Sequence, residues 1–301
     1  MALALGSCSS SFAGNFASFS RDGQNYDGGQ WSPDGQRFAA PVFDSGAIQL
    51  FTPTGQAVST LQTGCGPFSV VRFVAWLPNG QLSCFWSNNP PVLEVISLNQ
   101  HAQVEKQAYV SFPILPETSI YDMQWNPRHD WLATIGESSP GNGLVTLLYL
   151  SDLTGHNLMT PLRGNAASLA WSPDGTKLAV VQRDGTIVVY QVEQLSPGKL
   201  AMIKLRTLAP GTSPGDTITW SPSGHWIVCR HGTYTGEDYL FLLATDGSGK
   251  QVQVTSSTTD GQLDYPAWSP DGKQLIVGKV ADNSLMALNI QAILQEKDVE
   301  P

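Results

Sequence analysis

The chain has 301 residues, only 14% of them charged, and a formal net charge of -9. That balance repels a phosphate backbone, no run of Lys and Arg offsets it, and nucleic acid is therefore not an expected partner. With 29 Gly, 20 Pro and 9 Trp, and no apolar stretch near the roughly 18 residues a membrane-spanning helix needs, the composition favours many short strands and turns.

Residues 1–11 read as a flexible N-terminal segment. Within it Leu5-Gly6-Ser7-Cys8 resembles a bacterial lipobox, followed by Ser9 to Ser11 as a tether, which would attach a lipid to Cys8 and offer the chain its one route to a membrane. No basic stretch stands before it, so a lipoprotein anchor and an ordinary N-terminal segment are the two alternatives. Cys65, Cys84 and Cys229 make no C-x-x-C pair and no Cys/His spacing, so neither a metal nor another cofactor is expected. Cys84 and Cys229 lie in apolar runs and read as small buried hydrophobes, whereas Cys65 between Gly64 and Gly66 reads as loop.

From Trp31 onward the chain repeats. Trp31, Trp76, Trp125, Trp171, Trp220 and Trp268 are separated by 45, 49, 46, 49 and 48 residues, and each is followed two residues later by a proline. Trp-Ser-Pro-Asp-Gly is a hairpin turn written in sequence: proline presets φ, Asp suits the bridge region, and Gly supplies the left-handed residue that closes the loop. Gly35, Gly80, Gly175, Gly224 and Gly272 hold the last place, and in the third repeat His129 stands there after Pro127 and Arg128, read as a tolerated left-handed turn residue. Apolar runs flank each turn and a further run recurs downstream (Ile48 to Phe51, Leu93 to Ile96, Thr146 to Tyr149, Ile187 to Tyr190, Tyr239 to Leu242, Leu285 to Leu288). After five of these a half-apolar stretch follows, which makes four strands per unit and predicts an all-β, six-bladed β-propeller of four-stranded antiparallel blades over residues 12–290.

Trp268 to Lys273, followed by an apolar strand, and the strand end Leu242 to Gly247 resemble the repeats of TolB-like propellers. Asp184-Gly185-Thr186-Ile187-Val188-Val189-Tyr190 is similar to WD repeats. The resemblance spans about residues 14 to 290 and implies the propeller fold; a protein or peptide partner for a monomeric chain is expected, in a periplasmic or cell-envelope location, with a cytoplasmic one as the alternative.

The last unit is one strand short, because residues after 290 read as a helix-like C-terminal tail (291–301). The segment Phe12 to Ser20, with Phe12, Phe16 and Phe19, is the apolar stretch left to supply the missing outer strand and close the ring.

Chemistry is harder to place. Gly211-Thr212-Ser213-Pro214-Gly215 matches a nucleophile-elbow pattern, but two prolines put it in a loop rather than on the strand-to-helix turn that the elbow requires. No nucleophile with a base beside it can be assigned, so no catalytic residue is named. Aligning the repeats on Trp sets Asp44, Trp86, Glu137, Arg183, Arg230, His231 and Lys279 near the ends of second strands, as candidate ligand-binding residues on the face opposite the Trp-x-Pro turns. Trp86 with Arg230 and His231 would suit an anionic or aromatic ligand. The expectation is a non-enzymatic binding or scaffold module in the bacterial envelope, with a small propeller hydrolase or lyase at the channel mouth as the alternative.

Overall fold

The computed structural model describes residues 16–20, 24–26, 28–42, 45–64, 73–86, 92–111, 119–138, 145–159, 162–208, 214–232, 238–255 and 262–297. The chain opens with β1 (Phe16–Ser18). The first blade follows as β2 (Gln30–Trp31), β3 (Phe38–Pro41), β4 (Ala47–Phe51) and β5 (Ala57–Gln62). The second is β6 (Phe73–Trp76), β7 (Leu82–Trp86), β8 (Val92–Leu98) and β9 (Val104–Ser111). The third is β10 (Ser119–Trp125), β11 (Trp131–Ser138), β12 (Val145–Asp152) and β13 (Leu162–Gly164). The fourth is β14 (Ala166–Trp171), β15 (Lys177–Gln182), β16 (Ile187–Ser196) and β17 (Lys199–Leu208). The fifth is β18 (Pro214–Trp220), β19 (Trp226–Gly232), β20 (Asp238–Ala244) and β21 (Gln251–Gln253). The sixth is β22 (Leu263–Trp268), β23 (Gln274–Lys279) and β24 (Ser284–Asn289), and α1 (Ile290–Glu296) ends it. Each sheet has four antiparallel strands, and the first strands of successive blades touch one another around the whole circle, so they form the innermost layer of a six-bladed β-propeller.

The strands read as continuous apolar runs because both faces of a blade are buried. Every residue of β3 and β4 is buried, and alternate residues enter different interfaces: Leu178 and Val180 pack toward the third blade, Ala179 and Val181 toward the fifth. Six hydrophobic clusters fill the six interfaces, and each holds the first-strand Trp of its later blade. Three of these indoles also reach back across the interface by hydrogen bond. Trp76 donates to the Gln30 carbonyl (3.1 Å) and Trp171 to the Gln124 carbonyl (3.1 Å), in each case the residue just before the preceding blade's Trp. Trp125 does the same through a relay, donating to the Ser83 hydroxyl (2.8 Å), which donates to the Ala75 carbonyl (3.0 Å). Trp220 turns instead to its own hairpin at Gly224 (2.9 Å), while the buried indole nitrogens of Trp31 and Trp268 have no partner.

The turns follow the chemistry read from sequence in five blades. The residue three after Trp caps the turn: Asp34 accepts from the Gln36 backbone (3.0 Å), Asn79 from Gln81 (3.0 Å), Asp174 from Thr176 (2.9 Å), Ser223 from His225 (3.4 Å) and Asp271 from Lys273 (3.1 Å). The five glycines that close these turns have φ between 68° and 81°. Although burial alone would raise it, Asp174 is held at about 2 by the Ser172 hydroxyl, the Thr176 backbone and hydroxyl, and the Lys177 charge. The third blade departs from the expectation, since His129 is not left-handed; Asn126 Oδ1 accepts from the Arg128 (2.9 Å) and His129 (3.1 Å) amides, and the His129 ring stacks on Trp131 at 4.0 Å.

The ring closes where the N-terminal apolar stretch was expected to close it. β1 pairs antiparallel with β24, Phe16 opposite Leu288 and Ser18 opposite Met286, and becomes the outer strand of the sixth blade. Phe12 lies outside the described residues. Phe19, 3% exposed, then crosses into the first blade, where its ring meets Phe38 at 5.3 Å, Phe51 at 5.7 Å and Trp31 at 6.1 Å. Residues after 290, read as a tail, form α1 through residue 296, started by Asn289, which accepts from the Ala292 amide (3.0 Å). Ile290, Ile293 and Leu294 of this helix join the core between the fifth and sixth blades. Cys84 and Cys229 are fully buried, the Cys84 thiol donating to Glu94 Oε2 (3.4 Å), while Cys65 lies outside the described residues.

Two measurements check this account. Phe19→Ala removes a ring shared by two blades and is expected to lower unfolding free energy by about 3–5 kcal/mol in urea titrations; a loss below about 1 kcal/mol would show that the seam does not hold the ring. Gly80→Ala should cost about 1–2 kcal/mol, for its left-handed φ alone, since no atom lies within 4 Å of the added Cβ. Gly175→Ala should cost distinctly more, because its Cβ would sit 2.5 Å from Asn126 Oδ1, and equal melting shifts for the two variants would contradict the packing between third and fourth blades.

Candidate functional site

The six first strands converge on a central cavity of about 560 Å³. Its mouth lies on the face of the Trp-x-Pro turns, because the turn prolines Pro33, Pro127, Pro173, Pro222 and Pro270 line it together with Trp31, Trp125, Trp171, Trp220 and Trp268. The tryptophans are wedged between blades by the packing that builds the fold, Trp125, Trp171, Trp220 and Trp268 being 6–9% exposed, so they fix the shape of the mouth while the more exposed prolines supply its rim.

Below the rim, equivalent strand positions come to one level. The residue three before each Trp is Gly28, Phe73, Asp122, Ser168, Thr217 or Tyr265 in blade order, and the last five line the cavity. Asp122 ties the third blade to the fourth: its carboxylate accepts from the Met123 amide (2.7 Å), the Ser168 hydroxyl (2.7 Å) and the Leu169 amide (2.8 Å). Burial pushes its carboxyl up to about 6 in spite of these donors. Tyr265 is 43% exposed, at φ 49°, a conformation strained for an aromatic residue, and the close approach of Gly28 leaves no room for a Cβ there. Asp264 beside it accepts from the Tyr265 amide (2.9 Å), from Thr217 in the fifth blade (3.2 Å) and from Arg230 Nη1 (3.1 Å).

At the rim the third blade differs in kind. Arg128 stands where the other turns carry Asp, Asn or Ser, and it lines the cavity with its guanidinium making no hydrogen bond or ion pair to a described residue. Asn126, fully buried, does the capping in its place and donates to the Gly175 carbonyl of the fourth blade (2.8 Å).

The residues expected from sequence lie elsewhere. Arg230 is committed to Asp264, with side chains 15% and 18% exposed, and Lys279 is 3.5 Å from Asp282. Arg183 is exposed in the turn after β15, Trp86 ends β7 opposite Val92, Glu137 lies in β11 opposite Thr146, and His231 lies in β19 opposite Tyr239. Arg183, Arg230 and Lys279 are not among the residues that line the cavity, and Asp44 and Cys8 lie outside the described residues. Among the described residues no cluster of His, Cys, Asp and Glu could hold a metal, and no helix is long and apolar enough to cross a membrane. Arg128 and Asp122 stand out in the repeat alignment, each a charge where the equivalent positions of the other blades carry none that is free of a turn-capping role.

The Asp122 carboxyl makes stability depend on pH in a defined direction. It keeps its proton to about 6 when folded and to the ordinary 3.8 when unfolded, so its contribution is fully present below 3.8 and is lost as pH rises through 6. In urea titrations from pH 4 to 7, the wild-type midpoint should fall relative to that of Asp122→Asn as pH rises; parallel curves would show that Asp122 is not held protonated.

Comparisons with known proteins agree with this geometry. The model of the WD domain, G-beta repeat, matches residues 149–191, which run from β12 into β16. The β-propeller domain of Cps50 (Swd1) from Myceliophteria thermophila is similar in structure, with a TM-score of 0.62 at 14% identity over 91% of this chain and 99% of that one. XC5397 from Xanthomonas campestris, described as a gluconolactonase, is similar with a TM-score of 0.63 at 14% identity, over 91% of this chain and 89% of that one. At such identities the likeness shows the fold: the chain is a six-bladed β-propeller in which residues 149–191 match a WD repeat.

Proposed function

We propose that the chain is a binding module that holds a segment of a partner protein in the Trp- and Pro-lined mouth of its central cavity. The observation that carries this reading is the cavity itself, about 560 Å³ and walled by turn residues of five blades. A concave, largely preformed surface that joins apolar walls to a few placed polar groups is what small-ligand sites share. The mouth is favoured over the opposite rim because Arg230 and Lys279 there are already paired. The resemblance of the repeats to TolB-like propellers supports a role in the bacterial cell envelope, and the lipobox-like Leu5-Gly6-Ser7-Cys8 supports lipid attachment at Cys8.

One observation favours a second reading, a small-molecule hydrolase in the same cavity, as a propeller named gluconolactonase suggests: Asp122, at about 6, titrates where a general base is useful. Its two hydrogen bonds from Ser168 and Leu169 of the fourth blade support the structural role instead.

A photo-crosslinking residue placed at Pro270 on the rim should capture a discrete partner in cells, while the same residue at Val58, exposed on the outer strand of the first blade, should not. Equal capture from both positions, or none from the mouth, contradicts the proposal.

A further inference from the structure

We infer that the third-blade turn makes the mouth selective for acidic peptide segments, with Arg128 pairing a ligand carboxylate whose neighbouring residues rest on the Trp and Pro ring. This rests on the mouth being the binding site proposed above.

The turn is rebuilt around that arginine. In five blades the residue three after Trp spends its side chain on capping its own hairpin, and an arginine, which has no acceptor, cannot do so. In the third blade the cap has moved two residues earlier, to Asn126, which satisfies the Arg128 and His129 amides and fastens the turn to Gly175. The substitution at one position is thus compensated at another, and the result is a cation on the cavity wall whose stem is held by the close approach of Gly175.

Charge complementarity indicates the occupant. Of the described Lys and Arg side chains in the six turns, Lys177 is 3.6 Å from Asp174, Lys273 is 3.8 Å from Asp271, and Arg37 donates to the Gln100 carbonyl (3.2 Å). Arg128 alone among them has no partner, and its planar fork matches a carboxylate. A chain of net charge -9 repels an extended polyanion, so the ligand carries isolated carboxylates beside apolar or proline residues that stack on the walls. Tyr265, in the opposite blade and held in its strained conformation, offers the facing aromatic surface.

The test uses random heptapeptides displayed on phage and selected on the folded protein. Those recovered are labelled with fluorescein and titrated against wild type, Arg128→Glu, and Thr217→Trp, which fills the cavity from the fifth blade. Pro33→Trp on the exposed rim serves as the blocking variant if Thr217→Trp melts at lower temperature. The expected result is a set rich in Asp and Glu that binds Arg128→Glu at least about tenfold more weakly, weakens with salt, and fails to bind the blocked mouth. Peptides excluded by the blocked mouth but without acidic bias and indifferent to Arg128→Glu overturn this inference and leave the mouth as the site. Peptides indifferent to both variants, or an empty selection, overturn the mouth reading and this inference with it.

Discussion

Every blade of this protein is apolar on both faces, and a sheet with two greasy faces cannot stand in water alone. The six hydrophobic clusters are the answer to that constraint, each formed half by one blade and half by the next. Because the arrangement is circular, no cluster is terminal and no blade is expendable. The seam is therefore as much a part of the core as any interface within the repeats, and Phe19 does at the sixth-to-first junction what branched aliphatic side chains do elsewhere. The indole bonds from Trp76, Trp125 and Trp171 add direction to this packing, each worth about 0.5–1.5 kcal/mol, by fixing the tilt of one blade against the carbonyl of another.

The same constraint prepares a place for function. Wedging six tryptophans between blades brings six inner strands together, and equivalent residues arrive at one height around the cavity. A change in a single repeat then alters one sector of the wall without disturbing the others. Asp122 and Asp264 show this for polar links between blades, and Asn126 with Arg128 shows it for the rim. Repetition supplies the vessel and departures from repetition give it an orientation.

The number of blades, the hairpin turns and the closing strand were legible because each rests on local chemistry: a Trp-x-Pro spacing, a left-handed glycine, an apolar stretch left over after the other strands were assigned. What was less legible depended on contacts between blades. Arg230 looks available in sequence, yet its partner Asp264 lies 34 residues away on the next blade. His129 occupies a glycine position and was expected to share its conformation, but Asn126 carries the turn, and nothing within one repeat announces that an asparagine will reach the following blade. The mouth itself went unread for a similar reason: the turn residues were already accounted for as architecture, and their second role as a lining shows only when five of them face one another.

The pairing of β1 with β24 joins the earliest made part of the propeller to nearly the last. On the ribosome, Phe16 to Ser18 must wait through the synthesis of more than 260 residues before their partner strand emerges, and until then the sixth-to-first cluster has only one of its walls. Until that strand emerges the nascent chain carries an open, sticky wedge. The ring can close only once β24 has emerged, so the sixth-to-first junction is the last of the six interfaces to acquire both walls.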